Sequence, residues 1–347
     1  MTDAADVTEE GAGAKTVNVV GALTGYTIDT TIDTLVLADE TNSVTLGAAS
    51  QSVTGGTGAD TVTTVTGASG TLALGTGANV VNLNGADDIS LATITGTYDL
   101  NLLDGEGSDT TVTVAAAHLT DAADVTEEGA GAKTVNVVGA LTGYTIDTTI
   151  DTLVLADETN SVTLGAASQS VTGGTGADTV TTVTGASGTL ALGTGANVVN
   201  LNGADDISLA TITGTYDLNL LDGEGSDTTV TVAAAHLTDA ADVTEEGAGA
   251  KTVNVVGALT GYTIDTTIDT LVLADETNSV TLGAASQSVT GGTGADTVTT
   301  VTGASGTLAL GTGANVVNLN GADDISLATI TGTYDLNLLD GEAAIRP

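Results

Sequence analysis

Residues 2–119 recur without a single substitution at 120–237, and again, shortened, at 238–342. The unit is 118 residues long: Thr2, Thr120 and Thr238 each open the run TDAADVTEEGAGAKTVNVVGALTGYTID. Domains that diverge toward separate local tasks do not stay identical. Identity across three copies points to a property of the array itself: length, reach, stiffness or multivalency. The chain therefore divides into copy 1 (2–119), copy 2 (120–237), a truncated copy 3 (238–342) and a tail (343–347). Met1 sits directly on a copy boundary and reads as an added start.

The charge is part of the repeat. Forty-four acidic residues stand against four basic ones, a formal charge of −40, and the acids divide as 15, 15 and 14 over the copies. Each copy carries one lysine (Lys15, Lys133, Lys251), and the sole arginine is Arg346 in the tail. Contact with nucleic-acid phosphates or an anionic membrane needs basic side chains, so both partner classes are excluded. Such charge opposes compaction unless salt or bound cations offset it. Disorder pairs high charge with low hydrophobicity, whereas here 41% of residues are apolar. Most of these are Val, Leu, Ile and Ala. Phe and Trp are absent, and the six tyrosines fall two per copy. Small branched side chains without large aromatics predict a narrow, layered core.

A shorter, imperfect period lies inside the unit. It cuts as 15–32, 33–50, 51–69, 70–88, 89–108 and 109–132. Each segment holds two β-prone pieces, such as TLVLA and SVTLG, separated by Gly, Asp or Asn. Alternation of branched apolar and small polar residues is the signal of a half-buried strand. The nearest approach to a helical period, AAAHLTDAADVTEE (115–128), reads as one helical turn or a bulging loop. Two short strands per 18–24 residues predict an all-β parallel β-solenoid of about six coils per repeat, stacked at ~4.8 Å. Six coils would advance roughly 29 Å at that spacing. The alternative is a string of three β-sandwich beads, which also show short alternating strands.

The most specific motif is GGTGADTVT, Gly55 to Thr63, which matches the nonapeptide G-G-x-G-x-D-x-U-x at every defined position. One coil later LGTGANVVN, Leu74 to Asn82, matches except at Leu74 and Asn79. This pair resembles the calcium-binding β-roll of repeats-in-toxin proteins, over two coils of six. The resemblance implies calcium at Gly56, Gly58, Asp60, Gly75, Gly77 and Asn79. Its counterparts are Asp178 and Asn197 in copy 2, and Asp296 and Asn315 in copy 3. Glycines would adopt positive φ and aim carbonyl oxygens inward, and the aspartate would add a hard anionic oxygen. Val62 and Val81 would point into the core. The motif decays elsewhere: Tyr98 stands in the aspartate column of GTYDLNL. The bland alternative is a set of Gly-rich turns in a metal-free solenoid.

A second candidate cation site joins NGADD (84–88) and DGEGSD (104–109). It would gather Asp87, Asp88, Asp104, Glu106 and Asp109 with no basic residue nearby in sequence. Its counterparts are Asp205, Asp206, Asp222 and Asp227, then Asp323, Asp324 and Asp340. Stacked carboxylates repel unless solvated or bridged by a cation. Asp6, Glu9 and Glu10 read as a short exposed cluster. Asp29, Asp33, Asp39 and Glu40 read as turn charges. His118 and His236 stand alone, which favours a structural role over metal ligation.

No nucleophile–His–acid set is present, and carboxylate pairs lack aromatic platforms for sugars. The expected role is therefore non-enzymatic: a repeat of a bacterial extracellular protein in a surface layer, matrix fibre or adhesin stalk. Calcium would stiffen it, and it would self-associate end to end or laterally. A cell-surface or matrix polysaccharide is a further expected partner. The resemblance also implies folding outside the cell on meeting calcium. Two alternatives stand beside this. One is a ligand- or ice-binding β-face, with Thr57 and Thr76 in matching turn positions. The other is a calcium-dependent folding or spacer module of a secreted enzyme.

Overall fold

A computed structural model describes residues 8, 10–104, 107–222, 226–320 and 323–339. It is an all-β parallel β-solenoid of about 17 turns, spaced about 19 residues apart. The expected fold class is what the chain adopts. Among the described residues the helices are Ala116–Asp121 and Ala234–Asp239. Contacts divide the chain into two units, residues 1–160 with 169–174, and residues 161–168 with 175–347.

In the first unit two sheets face each other. One runs through Thr16–Asn18, Thr34–Val36, Ser52–Thr54, Thr71–Ala73 and Thr93–Thr95. The other runs through Tyr26–Thr27, Asn42–Thr45, Asp60–Thr63, Val80–Asn84, Asp99–Leu103 and Val125–Glu128. We call these the threonine sheet and the asparagine sheet. Every pairing is parallel and strictly in register: Thr16 opposes Thr34, Leu35 opposes Val53, Val62 opposes Val81. Parallel strands cannot be joined by tight hairpins, so bead-like antiparallel sandwiches do not form.

The period-2 pattern sets the burial. Leu35, Val53, Leu72 and Ile94 point inward from the threonine sheet, and Val44, Val62, Val81 and Leu100 from the asparagine sheet. Each such side chain stabilises the stack by about 1.5–3 kcal/mol. The outward positions of the threonine sheet form a hydroxyl column, Thr16–Thr34–Ser52 and Thr71–Thr93. Those of the asparagine sheet form Thr45–Thr63–Asn82–Asn101–Thr126. That second column bonds to itself: Asn101 Nδ2 donates to Asn82 Oδ1 at 3.0 Å, and Thr126 Oγ1 to Asn101 Oδ1 at 3.1 Å.

The regular winding breaks near the end of copy 1 and again near the end of copy 2. Thr93–Thr95 ends its sheet, and Thr110–Ala115 stacks instead beside the 85–89 turn, with Thr111 N donating to Gly85 O at 2.8 Å. The helix Ala116–Asp121 follows directly, then the strand Val125–Glu128. The expected helical turn is thus present, but the coil cut at 108/109 is not a plain sixth coil. Thr110–Ala115 then pairs over its whole length with Lys133–Val138 of copy 2. Thr152–Val154 and Ser170–Thr172 extend this sheet.

The second unit repeats the pattern. Asp178–Thr181, Val198–Asn202, Asp217–Leu221 and Val243–Glu246 form one ladder. Thr228–Ala233 pairs with Lys251–Val256, and that sheet continues through Thr270–Val272, Ser288–Thr290 and Thr307–Ala309 to Thr329–Thr331. The facing sheet ends on Tyr334–Leu338, which pairs with Asn315–Leu319.

Candidate cation site at the glycine turns

At or just before the start of three successive strands of the asparagine sheet, a polar side chain is directed inward. Asn42, Asp60 and Asn79 lie on successive coils and are all buried, as is Tyr98 on the next. They form a ladder. Leu23 N donates to Asn42 Oδ1 at 2.9 Å, and Asn42 Nδ2 donates to Asp60 Oδ1 at 2.7 Å. Asp60 N donates to Asn79 Oδ1 at 2.9 Å, and Asn79 Nδ2 donates to Thr97 O at 2.8 Å and Leu74 O at 3.3 Å. Each amide closes its own turn and the next one, supplying the partners that buried backbone groups require.

Asp60 is the exception. A carboxylate only accepts, so it has no counterpart to the amide N–H groups of Asn42 and Asn79. Its Oδ2 is buried and has no hydrogen-bond partner, and the same holds for Asp296 Oδ2 in copy 3. Asp178 is equally buried at the matching place. A Cβ on Gly55 would lie 2.5 Å from Asp60 Oδ2 and 2.7 Å from Leu74 O. Gly291 stands in the same relation to Asp296 Oδ2 and Leu310 O. One anionic oxygen and one backbone carbonyl, Leu74 O, which also accepts from Asn79 Nδ2 at 3.3 Å, therefore lie beside this turn. Both are the hard oxygen type that calcium takes, and they are two of the six to eight that it needs.

One expectation at this site is corrected, that of the glycines. The asparagines are tied into the ladder: Asn315 Oδ1 accepts from Asp296 N at 2.8 Å, and its amide donates to Thr333 O at 2.8 Å and Leu310 O at 3.1 Å. Asn197 likewise accepts from Asp178 N at 2.9 Å and donates to Thr215 O at 2.9 Å. The glycines also differ among themselves. Gly75 and Gly77 take positive φ, 70° and 119°. Gly56 and Gly58 do not, and are required by close stacking: a Cβ there would sit 2.0 Å from Asp39 Oδ1 and 1.9 Å from Glu40 O. Asp39 Oδ1 accepts from Thr57 N at 2.9 Å.

The second candidate cluster is taken apart by the fold. Asp87 Oδ2 accepts from Thr64 Oγ1 at 2.7 Å and Asn84 N at 3.0 Å. Asp205 and Asp323 do the same with Thr182 and Thr300, each at 2.8 Å. Asp88, Asp206 and Asp324 each accept from the backbone N–H of a serine two residues on, at 3.0 Å. Asp109 and Asp227 accept from Ala132 N and Ala250 N, each at 3.0 Å. Glu106 and Asp340 lie outside the described residues, as do Asp6 and Glu9. Among the described residues no three His, Asp or Glu side chains converge as a metal cage.

Asp104 has a cation already, and sequence spacing did not reveal it. Lys133, fully buried, brings Nζ within 3.8 Å of Asp104 Oδ2 and 3.5 Å of Glu127 Oε2, and donates to Gly131 O at 2.5 Å. Lys251 does the same with Asp222 at 3.6 Å, Glu245 at 3.7 Å and Gly249 O at 2.6 Å. Gly131 N also donates to Asp104 Oδ2 at 2.8 Å. That backbone bond, and next the lysine charge, hold the Asp104 carboxyl below the usual carboxylate range against its desolvation. The carboxylate belongs to one copy and the lysine to the next.

His118 is structural by geometry. Its Nδ1 accepts from Ala115 N at 3.3 Å, so Nε2 carries the proton toward Ala92 O at 3.1 Å. Burial lowers its pKa, while the Ala92 carbonyl and the Asp121 charge pull upward. His236 repeats this against Ala210 O at 3.1 Å. Tyr98 fills the aspartate column with its ring, and its hydroxyl lies 3.4 Å from His118 O. Compared with known proteins, the chain matches no family model, no curated protein and no solved structure.

Proposed function

We propose that the chain is a non-enzymatic structural repeat of a bacterial extracellular protein. Its copies extend a surface layer, matrix fibre or adhesin stalk. Calcium at Asp60, Asp178 and Asp296 stiffens the glycine turns, and the array associates with further copies of itself. One observation carries the reading: each copy is completed by the next. Thr110–Ala115 of copy 1 pairs residue for residue with Lys133–Val138 of copy 2, and the buried Lys133 neutralises Asp104 across that joint. Copies joined by shared sheet and shared charge, with no linker, behave as a solenoid whose useful quantity is length. The unpartnered Asp60 Oδ2 supports the calcium part. When bound, calcium would supply positive charge to that oxygen, and the chain's own contribution is to hold the carboxylate and the neighbouring carbonyl in place.

Electron microscopy and circular dichroism with and without calcium test this. Calcium-dependent gain of β-structure together with rods or sheets is the expected result. Monomeric particles with a spectrum indifferent to chelator would overturn it.

A further inference from the structure

Six of the nine large hydrophobic side chains exposed among the described residues belong to one kind of surface: Val20, Leu91, Val138, Leu209, Val256 and Leu327. Val138 and Val256 end strands of the threonine sheets at outward positions, and Val20 follows one two residues on. Leu91, 74% exposed, and its counterparts Leu209 and Leu327 lie in the turns that lead into the strands at Thr93, Thr211 and Thr329, where Ala92 N donates to Ile89 O at 2.9 Å. Val138 ends the strand that begins with buried Lys133. The other three, Tyr334, Leu336 and Leu338, lie on the last described strand of the facing sheet. Scattered exposed apolar residues need no explanation, but the recurrence of six at the threonine sheets and their margins does.

The same face carries no charge. From Thr16 to Thr95 no outward strand position of this sheet is acidic or basic. That is notable in a chain of net charge −40. The asparagine sheet differs, presenting Asp99, Glu127 and Glu128 on its strands. At the margins of the threonine sheet the carboxylates fold back on local donors. Asp33 Oδ2 accepts from Lys15 N at 2.6 Å, and Asp88 Oδ1 from Ser90 Oγ at 2.7 Å.

We infer that the threonine sheet is a docking face for the threonine sheet of a second copy of this chain. The inference rests on the self-association part of the reading above and specifies its surface. Charge decides the occupant. Two chains of this acidity repel wherever carboxylates meet, and this face lets them approach without that penalty. Like-to-like packing also places leucine and valine on both sides of a flat, weakly polar contact, as a two-fold interface requires. Five strands at ~4.8 Å and three residues at ~3.3 Å give a footprint of roughly 240 Å². A standard interface needs about 800 Å² per partner. A single sheet therefore binds weakly, and repetition along the array supplies the avidity.

The test is sedimentation of the full chain over a range of concentrations in high salt, where carboxylate repulsion is screened. One variant carries Leu91→Glu, Leu209→Glu and Leu327→Glu. A second carries Ser43→Glu, Ser161→Glu and Ser279→Glu, which adds equal charge to the opposite sheets. Circular dichroism confirms that both fold, since the altered leucines are exposed. The parent chain is expected to associate reversibly, the leucine variant to lose about tenfold or more in association constant, and the serine variant to match the parent. A parent chain monomeric at every concentration, or two variants that respond alike, would overturn the inference. Calcium-dependent folding is read separately, so a chain that folds with calcium yet stays monomeric sinks the docking face alone.

Discussion

The backbone N–H of Asp60 donates to the side-chain Oδ1 of Asn79, 2.9 Å away on the next coil. The bond orders the turn of one coil with the amide of its neighbour. It also shows why an aspartate in this ladder is costly. Asn79 returns two donors to nearby carbonyls, and Asp60 returns none.

Replacing Asp60 and Asp296 by asparagine supplies the missing N–H. Without calcium the double variant is expected to gain stability, by about 1–3 kcal/mol per site, because a buried unsatisfied acceptor is removed. The same variant loses the response to calcium at those two sites. Denaturant unfolding with and without the ion checks both effects. A loss of stability in chelator would contradict this account of the ladder.

Lys133→Met leaves Asp104 beside the copy joint without its cation. The unfolding midpoint should fall, and Asp104→Asn in the same chain should restore most of it, since a buried pair is damaged more by losing one partner than both. Lys15→Met should cost less, because Lys15 is partly exposed and bonds the carbonyls of Gly11 and Gly13. Equal effects of the two lysine changes would show that burial at the joint is irrelevant.

Acid acts in two windows. The folded-state pKa of His118 and His236 lies below the ordinary 6.5, so the unfolded chain binds their protons first. Their contribution is complete above pH 6.5 and is lost as pH falls through the folded value. Asp104 is depressed from 3.8, so its contribution persists above that pH and disappears only in stronger acid. Imidazole NMR titration alongside unfolding at pH 7, 5 and 3 separates the two steps. A His118 that titrates at or above its ordinary value would refute the first.

Alkali acts on the phenols. Burial raises Tyr98, Tyr144, Tyr216 and Tyr262 from 10.0 to about 12. A raised folded value means that stability is full below pH 10 and drains away as pH climbs toward 12. Ultraviolet titration should show these four ionising late and together with unfolding. Early ionisation of all tyrosines would mean that the rings are not packed as described.

Gly58→Ala drives a methyl group to within 1.9 Å of Glu40 O, a backbone atom that cannot move aside. Gly67→Ala meets nothing within 4 Å and bears only the strain of φ +79°. The first is expected to cost more than about 3 kcal/mol, the second about 1–2 kcal/mol. Thermal unfolding of the two variants ranks them, and a reversed order would contradict the stacking register.

Local chemistry was enough to read the solenoid. Alternating Val, Leu and Ile with Thr and Asn specify strands, and Gly and Asp at even intervals specify corners, because both signals act within a few residues. The inward direction of Val62 and Val81 followed from that alternation. What tertiary structure alone decided is which side chain meets which across coils. Asn79 reads as a turn residue of its motif, and only the stacked coils show that its amide links Asp60 N on one side to Thr97 O on the other. Asp104 looks uncompensated until Lys133 arrives from the following copy. Partners that lie some 18 to 27 residues apart meet only through the register of stacked coils. That register is set by the whole winding, including the irregular joint at Thr110–Asp121, and no local spacing encodes it.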